Sequence, residues 1–390
     1  MIANRLVKTV LGVAAGLALL AAGPAGAQGT AKPPYLVGSI SQMTGGAAVF
    51  GRPAVAGATA YFKWLNDNGG INGRPVRFEA LDDQLNPDIA IVSAKRLVGE
   101  GMVVLLGPIA SATAIAVLPV VTAAKVPAVF HFGVEQLEKE PYYYAMGLTG
   151  TINYRIIANY LKGKASGPAN VAFLMVESPA LTAARAATID VIKGWGWKVA
   201  EVQTLTPGAT EFSAQVLKVA AAKPDFVITA LTDSQAPIAL AALQRAGVTV
   251  PVMNYHAGSA ESTFKAISTE QFMAIRDFID VSTPGDATKP LQEAAAKYGL
   301  TRDMTGNLFT KGWVSGQLIA SVLKRCDPNC TGESVKAALD GVKDFDTRGL
   351  GPTITFSPTQ KIGVTMARLF QWSDRDGRAV PVTPFIGGLN

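Results

Sequence analysis

The feature that most constrains this chain is the alternation of short apolar runs with longer helical patterns. One series includes YLVGSIS (35–41) and MVVLLG (102–107), and a second series begins at NVAFLMV (170–176). Strands separated by helices of this length form βαβ units, which build parallel sheets. Two such series predict an α/β fold with two doubly wound lobes.

The expected elements divide into two groups and a less regular tail. The first group has strands over 35–41, 76–83, 102–107, 127–132 and 142–146, and helices over 53–66, 87–100 and 111–124. The second group has strands over 170–176, 198–205, 225–231 and 250–255, and helices over 180–194, 210–222 and 234–246. The tail has helices near 286–298, 307–325 and 332–341, and strand-like runs at 351–356 and 365–372.

A Gly/Thr-rich link over 145–154 separates the two groups, and the tail is long enough to complete both lobes. We therefore predict that lobe 1 consists of 33–148 plus about 278–355, and lobe 2 of 149–277 plus about 356–390. The several chain crossings that this division requires predict a multi-strand hinge.

The first residues have the pattern of a cleavable signal peptide over 1–27. Arg5 and Lys8 precede an apolar segment, and Ala25-Gly26-Ala27 matches the A-x-A cleavage pattern. The mature chain then starts near Gln28, and no Cys lies at the cleavage point for a lipid anchor. We expect a periplasmic protein that is not a lipoprotein.

Charge and length exclude some functions. Removing the signal removes two basic residues and no acid, so the formal net charge falls from +6 to +4. The remaining charges are scattered, without the basic patch that nucleic-acid binding requires, so we expect no nucleic-acid partner. A mature chain of roughly 360 residues is more than one hydrophobic core usually serves, which agrees with two lobes.

The cysteines of the chain, Cys326 and Cys330, flank a Pro-Asn turn. In an oxidising compartment this spacing predicts a local disulfide. A metal or redox site is the alternative, but two ligands without a nearby His support it weakly.

Several polar residues directly follow predicted strands. The chain has two histidines, His131 and His256, and each lies at such a position. Ligands of open α/β sheets bind beyond the carboxyl ends of the strands, so both histidines are expected to face a cleft between the lobes. Packing in the core is the alternative for each. Asp82 and Asp83 also end a strand, where they either brace the next loop or form an acid/base site.

Five stretches resemble the leucine/isoleucine/valine-binding proteins, which are the solute-binding proteins of ABC importers. They are LNDNGGINGRPVRFEALDDQLNPDIAIVSAKRLV, VGSISQMTGGAAVFGRPAVAGATAYFKWLN, VVLLGPIASATAIAVLPVV, KPDFVITALTDSQAPIALAALQRAGV and GLGPTITFSPTQKIGVTMARLFQW. The resemblance implies a type I periplasmic binding fold, with Rossmann-like lobes that close over a small-molecule ligand. It also implies an ABC permease partner, no cofactor, no bound metal and no enzymatic activity. We expect a monomer.

The resemblance carries three binding residues to lobe 1. A hydroxyl and the N–H groups of a helix start hold the ligand's carboxylate in this family. The matching hydroxyl here belongs to Ser111, with Thr113 as a second candidate, and Phe50 matches an aromatic residue that covers the ligand. A helix N-terminus attracts anions without a buried Arg. The alternatives are an ordinary N-cap for Ser111 and core packing for Phe50.

The chain departs from the family pattern at its other binding positions. His256, beside Tyr255, replaces the acidic residue that neutralises an amino acid's ammonium group. The remaining candidates are His131, Phe132 and Gly133 after the fourth strand, and Thr232 and Asp233 in lobe 2. These departures favour a carboxylate ligand without an α-amino group, such as an aromatic or aliphatic acid. If Asp233 points into the cleft, or less plausibly Glu177 does, a standard amino-acid ligand is favoured instead.

Other functions have less support. The first strand leads into GSISQMTGG and not into G-x-G-x-x-G, and the chain contains no P-loop, G-x-S-x-G or H-E-x-x-H motif. We therefore predict a binding protein and not an enzyme. A receptor that reports ligand occupancy to a signalling partner would have the same sequence features as a transport protein.

Overall fold

The computed structural model describes residues 33–45, 48–206 and 209–388. The predicted signal peptide, 1–27, lies outside the described residues. None of the helices in the described part of the chain combines the length and hydrophobicity that a membrane crossing requires.

The first sheet contains five parallel strands in the order β2-β1-β3-β4-β5. They are β1 (Tyr35–Ser41), β2 (Val76–Asp82), β3 (Val104–Leu106), β4 (Ala128–Phe130) and β5 (Tyr143–Ala145). The helices that follow the first three strands are α1 (Ala48–Asp67), α2 (Pro87–Gly99) and α3 (Ser111–Ala123). All residues of β1 are buried, as expected for a parallel sheet covered by helices on both faces.

The second sheet repeats this arrangement and adds an antiparallel edge. Its main strands are β6 (Asn170–Val176), β7 (Lys198–Leu205), β8 (Phe226–Ala230), β9 (Val252–Asn254), β10 (Phe272–Arg276), β11 (Met366–Ser373) and β12 (Arg378–Pro381). Their order is β12-β11-β10-β9-β8-β6-β7, and the short β13 (Ile386–Gly387) pairs with β11. The accompanying helices are α4 (Gly150–Lys164), α5 (Pro179–Gly194), α6 (Ser213–Ala221), α7 (Gln235–Arg245) and α8 (Glu261–Ile267).

The last three helices return to the side of the first sheet. They are α9 (Lys289–Lys297), α10 (Gly306–Cys326) and α11 (Gly332–Asp340). The backbones of α1 and α10 lie in direct contact. The closeness is evident at Gly312, where a Cβ would overlap the carbonyl oxygen of Ala54. Cys326, the last residue of α10, is joined to Cys330 by a disulfide.

The chain crosses between the two sheets three times: after β5, after β10 and before β11. The first and third crossings are hydrogen-bonded to each other. The N–H of Ala145 donates to the carbonyl of Lys361, and the N–H of Gly363 donates to the carbonyl of Ala145. In the second crossing, the carboxylate of Asp277 lies 2.7 Å from Nζ of Lys311, and both side chains are buried. The connection between the lobes is therefore packed and hydrogen-bonded.

Two expectations about local structure were wrong. The predicted link over 145–154 contains the start of α4, which Thr149 caps by accepting a hydrogen bond from the N–H of Ile152. The run at 351–356 forms no strand, because only a single bridge from Ile354 to Phe345 supports it. In addition, α8 and β10 form where no element was predicted.

Candidate functional site

A cavity of about 780 Å³ opens between the carboxyl ends of the two sheets. Its size lies within the range of pockets that enclose small organic ligands, roughly 300–1,000 Å³. Residues from both lobes line it, including Gln42, Phe50, Ile109, Ser111, Phe132, Gly133, Leu148, Thr232, Asp233, Tyr255 and His256. Most of the predicted binding residues are therefore brought together here, whereas Thr113 and His131 are not among the lining residues.

The start of α3 forms one polar part of the cavity wall. The N-cap residue is Ala110, which has no side chain that could accept a hydrogen bond, and Ser111 is the first helical residue. The N-cap alternative for Ser111 was therefore wrong. Thr113 is buried and donates its hydroxyl hydrogen bond to the carbonyl of Ala110, so it faces the helix. The N–H groups and the positive dipole end of α3 favour an anion.

An aromatic stack in the cavity wall joins the two lobes. The ring of Phe132, which follows β4, lies parallel to the His256 ring with centroids 4.5 Å apart. The ring of Tyr255 lies 4.2 Å from that of His256. Phe50 and Phe132 both pack against a small apolar cluster that contains Ile109. These rings form a largely apolar wall.

His256 is held in a defined orientation by α4. Its Nδ1 atom lies 3.1 Å from Oδ1 of Asn153. Burial lowers the pKa of His256 to about 3, and the charge of Lys311 lowers it further against the opposing effect of Asp277. The imidazole is therefore neutral at neutral pH.

His131 lies in the core and not in the cavity wall. It is 1% exposed, and neither ring nitrogen has a hydrogen-bond partner among the described residues. Burial and the charge of Lys311 lower the pKa of His131 to about 3. The next residue, Phe132, lines the cavity. The expectation that His131 faces the cleft was wrong.

Asp233 lines the cavity, but its carboxylate is used within the protein. Its Oδ1 accepts hydrogen bonds from the N–H of Ala260, at 2.9 Å, and from the hydroxyl of Thr263, at 2.6 Å. Ala260 is the N-cap residue of α8, so Asp233 holds the start of that helix. Burial raises the pKa of Asp233, although these hydrogen bonds oppose the shift.

Asp82 and Asp83 brace a loop, and neither is among the residues that line the cavity. Asp82 accepts hydrogen bonds from the N–H groups of Met43 and Gln84. Burial alone would raise the pKa of Asp82, but the hydrogen bonds from Thr44 and these N–H groups lower it below the usual value. The bracing alternative therefore describes Asp82.

Sequence reasoning missed several polar residues of this region, including the acidic residues Glu135, Glu261 and Asp280, which line the cavity. Gln42 directly follows β1 and lines the cavity, and its Oε1 atom has no partner in the described part of the chain. Its position after a strand was the signal that could have identified it. Asn153 was missed because it lies in the segment that was predicted as a link.

Two α/β lobes with paired crossings and a ligand-sized cavity between their strand ends define the class of two-lobed solute-binding proteins. The chain belongs to the periplasmic binding protein family, whose model matches residues 34–378.

Known proteins agree with this assignment. The Leu/Ile/Val-binding protein homolog 3 of Brucella melitensis is 23% identical over 349 residues, which cover 87% of this chain and 91% of the relative. A branched-chain amino acid ABC transporter structure from Thermus thermophilus with bound valine has a TM-score of 0.80 and 18% identity, covering 91% of this chain and 97% of that one. An R. palustris solute-binding protein in complex with 4-hydroxybenzoate has a TM-score of 0.77 and 22% identity, covering 91% and 96%. The resemblance and the type I periplasmic binding fold are thus confirmed.

Proposed function

We propose that this protein is the periplasmic solute-binding component of an ABC importer and captures a small carboxylate-bearing solute that lacks an α-amino group. Family membership supports binding and delivery to a permease. The N-terminal pattern over 1–27 supports export through a cleavable signal. Closure of the lobes about the crossings would enclose the solute.

The observation that carries the proposal is the chemistry around His256. This neutral imidazole occupies the position at which the resembling family has an acidic residue. Four acidic residues line the cavity, Glu135, Asp233, Glu261 and Asp280, and each already accepts a hydrogen bond from a backbone N–H group. A ligand ammonium group would lose its hydration and would have to compete with these bonds, which is costly in a closed site.

The start of α3 suits a carboxylate. Ser111 lines the cavity, and its hydroxyl has no hydrogen-bond partner within the described residues. The N–H groups at the start of α3, which receive no side-chain cap, lie beside it. No Lys or Arg is needed, because N–H groups and the helix dipole can balance one negative charge.

Calorimetric titration of the mature protein, starting at Gln28, with benzoate, 4-hydroxybenzoate, hexanoate, leucine and valine tests the proposal. We expect at least one acid to bind and both amino acids to bind at least about a hundredfold more weakly. Tight binding of leucine or valine without binding of the acids would overturn the proposal.

The Ser111→Ala variant tests the carboxylate end. Loss of one hydrogen bond to a charged group should weaken binding of the acid about tenfold. The Ser111→Thr variant keeps the hydroxyl and serves as the matched control. Equal affinity of the Ala variant and the wild type would remove Ser111 from the site.

A further inference from the structure

We propose that His256 determines specificity by accepting a hydrogen bond from a hydroxyl group of the ligand through its Nε2 atom. The inference rests on the proposed function and narrows the substrate class to hydroxylated acids, of which phenolic acids fit the aromatic walls.

The first step is the orientation of Asn153. Its Nδ2 group donates to the backbone carbonyl of Thr149 at 2.8 Å. This bond places Oδ1 toward His256, where it lies 3.1 Å from Nδ1. A carbonyl oxygen only accepts hydrogen bonds, so Nδ1 of His256 must carry the hydrogen. In a neutral imidazole, Nε2 then has a lone pair and can only accept.

The second step is the neutral state of the ring. Nζ of Lys311 lies 4.2 Å from the centre of the Phe132 ring, and Phe132 stacks on His256. This buried cation disfavours a second positive charge on His256, although Asp277 partly compensates it. Tyr255 adds a neutral ring on another side.

The third step is the position of the free lone pair. His256 lines the cavity, and among the described residues no group donates a hydrogen bond to its Nε2. His256 is half-buried, and once a ligand covers the ring its Nε2 acceptor needs a donor from the ligand or from water. A carboxylate has no hydrogen to donate, so its oxygen atoms and the lone pair on Nε2 would repel each other. The ligand's carboxylate is thereby directed to the Ser111 end and its hydroxyl to the His256 end.

The composition of the cavity walls suits an aromatic ligand. The walls include Phe50, Phe132, Ile109 and Leu231, which offer apolar surface. A phenol presents an O–H donor and a flat apolar face in one group. An aliphatic hydroxy acid satisfies the same acceptor but gains less from the aromatic wall.

Matched pairs of ligands test the inference by calorimetry. The pairs are benzoate with 4-hydroxybenzoate, phenylacetate with 4-hydroxyphenylacetate, and cinnamate with 4-hydroxycinnamate. In at least one pair, the hydroxylated acid should bind the wild type about tenfold tighter than its partner, since an unhydroxylated acid leaves the Nε2 acceptor without a donor in the complex. The His256→Phe variant replaces the acceptor by an aromatic ring and should abolish this difference between the members of a pair.

Side-chain ¹⁵N NMR of the untagged, ligand-free protein tests the tautomer without any ligand. The chain has two histidines, so the His256→Phe variant assigns both ring spectra. We expect the His256 hydrogen on Nδ1 at pH 7. The Asn153→Leu variant removes the acceptor that orients the ring and should lower the population of this tautomer and the preference for the hydroxylated acid together.

The outcomes separate the two proposals. Equal binding within every pair, or a hydrogen found on Nε2, would overturn the role of His256 and leave the proposed function standing. Failure of all six aromatic acids to bind, with hexanoate bound, would overturn the role of His256 and leave the proposed function standing. Failure of the six acids and of hexanoate would overturn the ligand class of the proposed function, and the role of His256 with it.

Discussion

At the residue scale, burial and one buried charge together keep both histidines neutral. His131 and His256 lie on opposite sides of the interlobe boundary, yet Lys311 lowers the pKa of each in addition to the effect of burial. Lys311 itself remains compensated by Asp277 at 2.7 Å. The positive charge in this region is therefore carried by Lys311, and both imidazoles are neutral.

This arrangement predicts that acid destabilises the fold. The folded pKa of each histidine is about 3, below the ordinary value of 6.5. The stabilising effect of the neutral form is complete above pH 6.5 and is lost as the pH falls toward 3. At pH 4.5 the loss should be roughly 2–3 kcal/mol for each histidine.

Urea unfolding at pH 7 and pH 4.5 measures this effect. The His131→Leu variant should lose about 2–3 kcal/mol less stability between the two pH values than the wild type. Comparing the two proteins cancels the contribution of the carboxylates, which titrate in both. An identical loss in variant and wild type would contradict the prediction.

At the element scale, the α1–α10 contact depends on glycine. A Cβ at Gly57 would overlap the carbonyl oxygen of Phe309, and a Cβ at Gly312 would overlap that of Ala54. Both obstacles are backbone atoms, which cannot rotate away as a side chain can. The close approach places the start of α10, including Gly306 and Asn307, at the cavity wall.

Gly312→Ala should therefore lower the free energy of unfolding by about 2–3 kcal/mol or more, because the helices must separate. Gly163→Ala is the matched control. Gly163 lies in α4, and no atom lies within 4 Å of the position that its Cβ would occupy. This control should be neutral or stabilising by about 0.5–1 kcal/mol. Similar effects of the two substitutions in urea unfolding would contradict the packing argument.

At the scale of the whole molecule, two lobes share one cavity and three crossings. The described core clusters place residues of both sheets around the connection, and the Phe132–His256 stack spans it. Lobe closure over a ligand would require rotation about these crossings while the disulfide and each sheet remain intact. The predicted lobe boundaries stay a prediction, which a measurement of lobe closure would test.

Spin labels can measure the closure. Cys326 and Cys330 are bonded, so the Val92→Cys/Leu217→Cys variant has two free thiols, at side chains 67% and 62% exposed. Saturating 4-hydroxybenzoate should shorten the distance between these labels, which lie on α2 and α6. The Lys63→Cys/Val92→Cys pair lies within one lobe and should show no change. An unchanged distance in the first pair, with binding verified by calorimetry, would contradict closure.

Much of the architecture follows from local pattern. The spans 35–41 and 170–176 were predicted at their observed ends, because a buried parallel strand is a short apolar run between turn signals. The half-buried strand over 198–205 was also predicted at its observed ends. The start of α4 was misjudged because Gly150 and Thr151 resemble a loop, whereas the Thr149 cap and the buried residues from Ile152 onward establish a helix.

The features of the candidate site also divide into those that the sequence predicts and those that depend on the tertiary structure. The sequence by itself determined the family, the order of the elements and the residues that follow strands, since these depend on near neighbours in the chain. Only the tertiary structure decided that Asp233 caps α8, that His131 is buried, and that Asn153 orients His256. Hydrogen bonds and burial depend on which distant segments meet in space. The protonation state of His256 was therefore not contained in any local pattern.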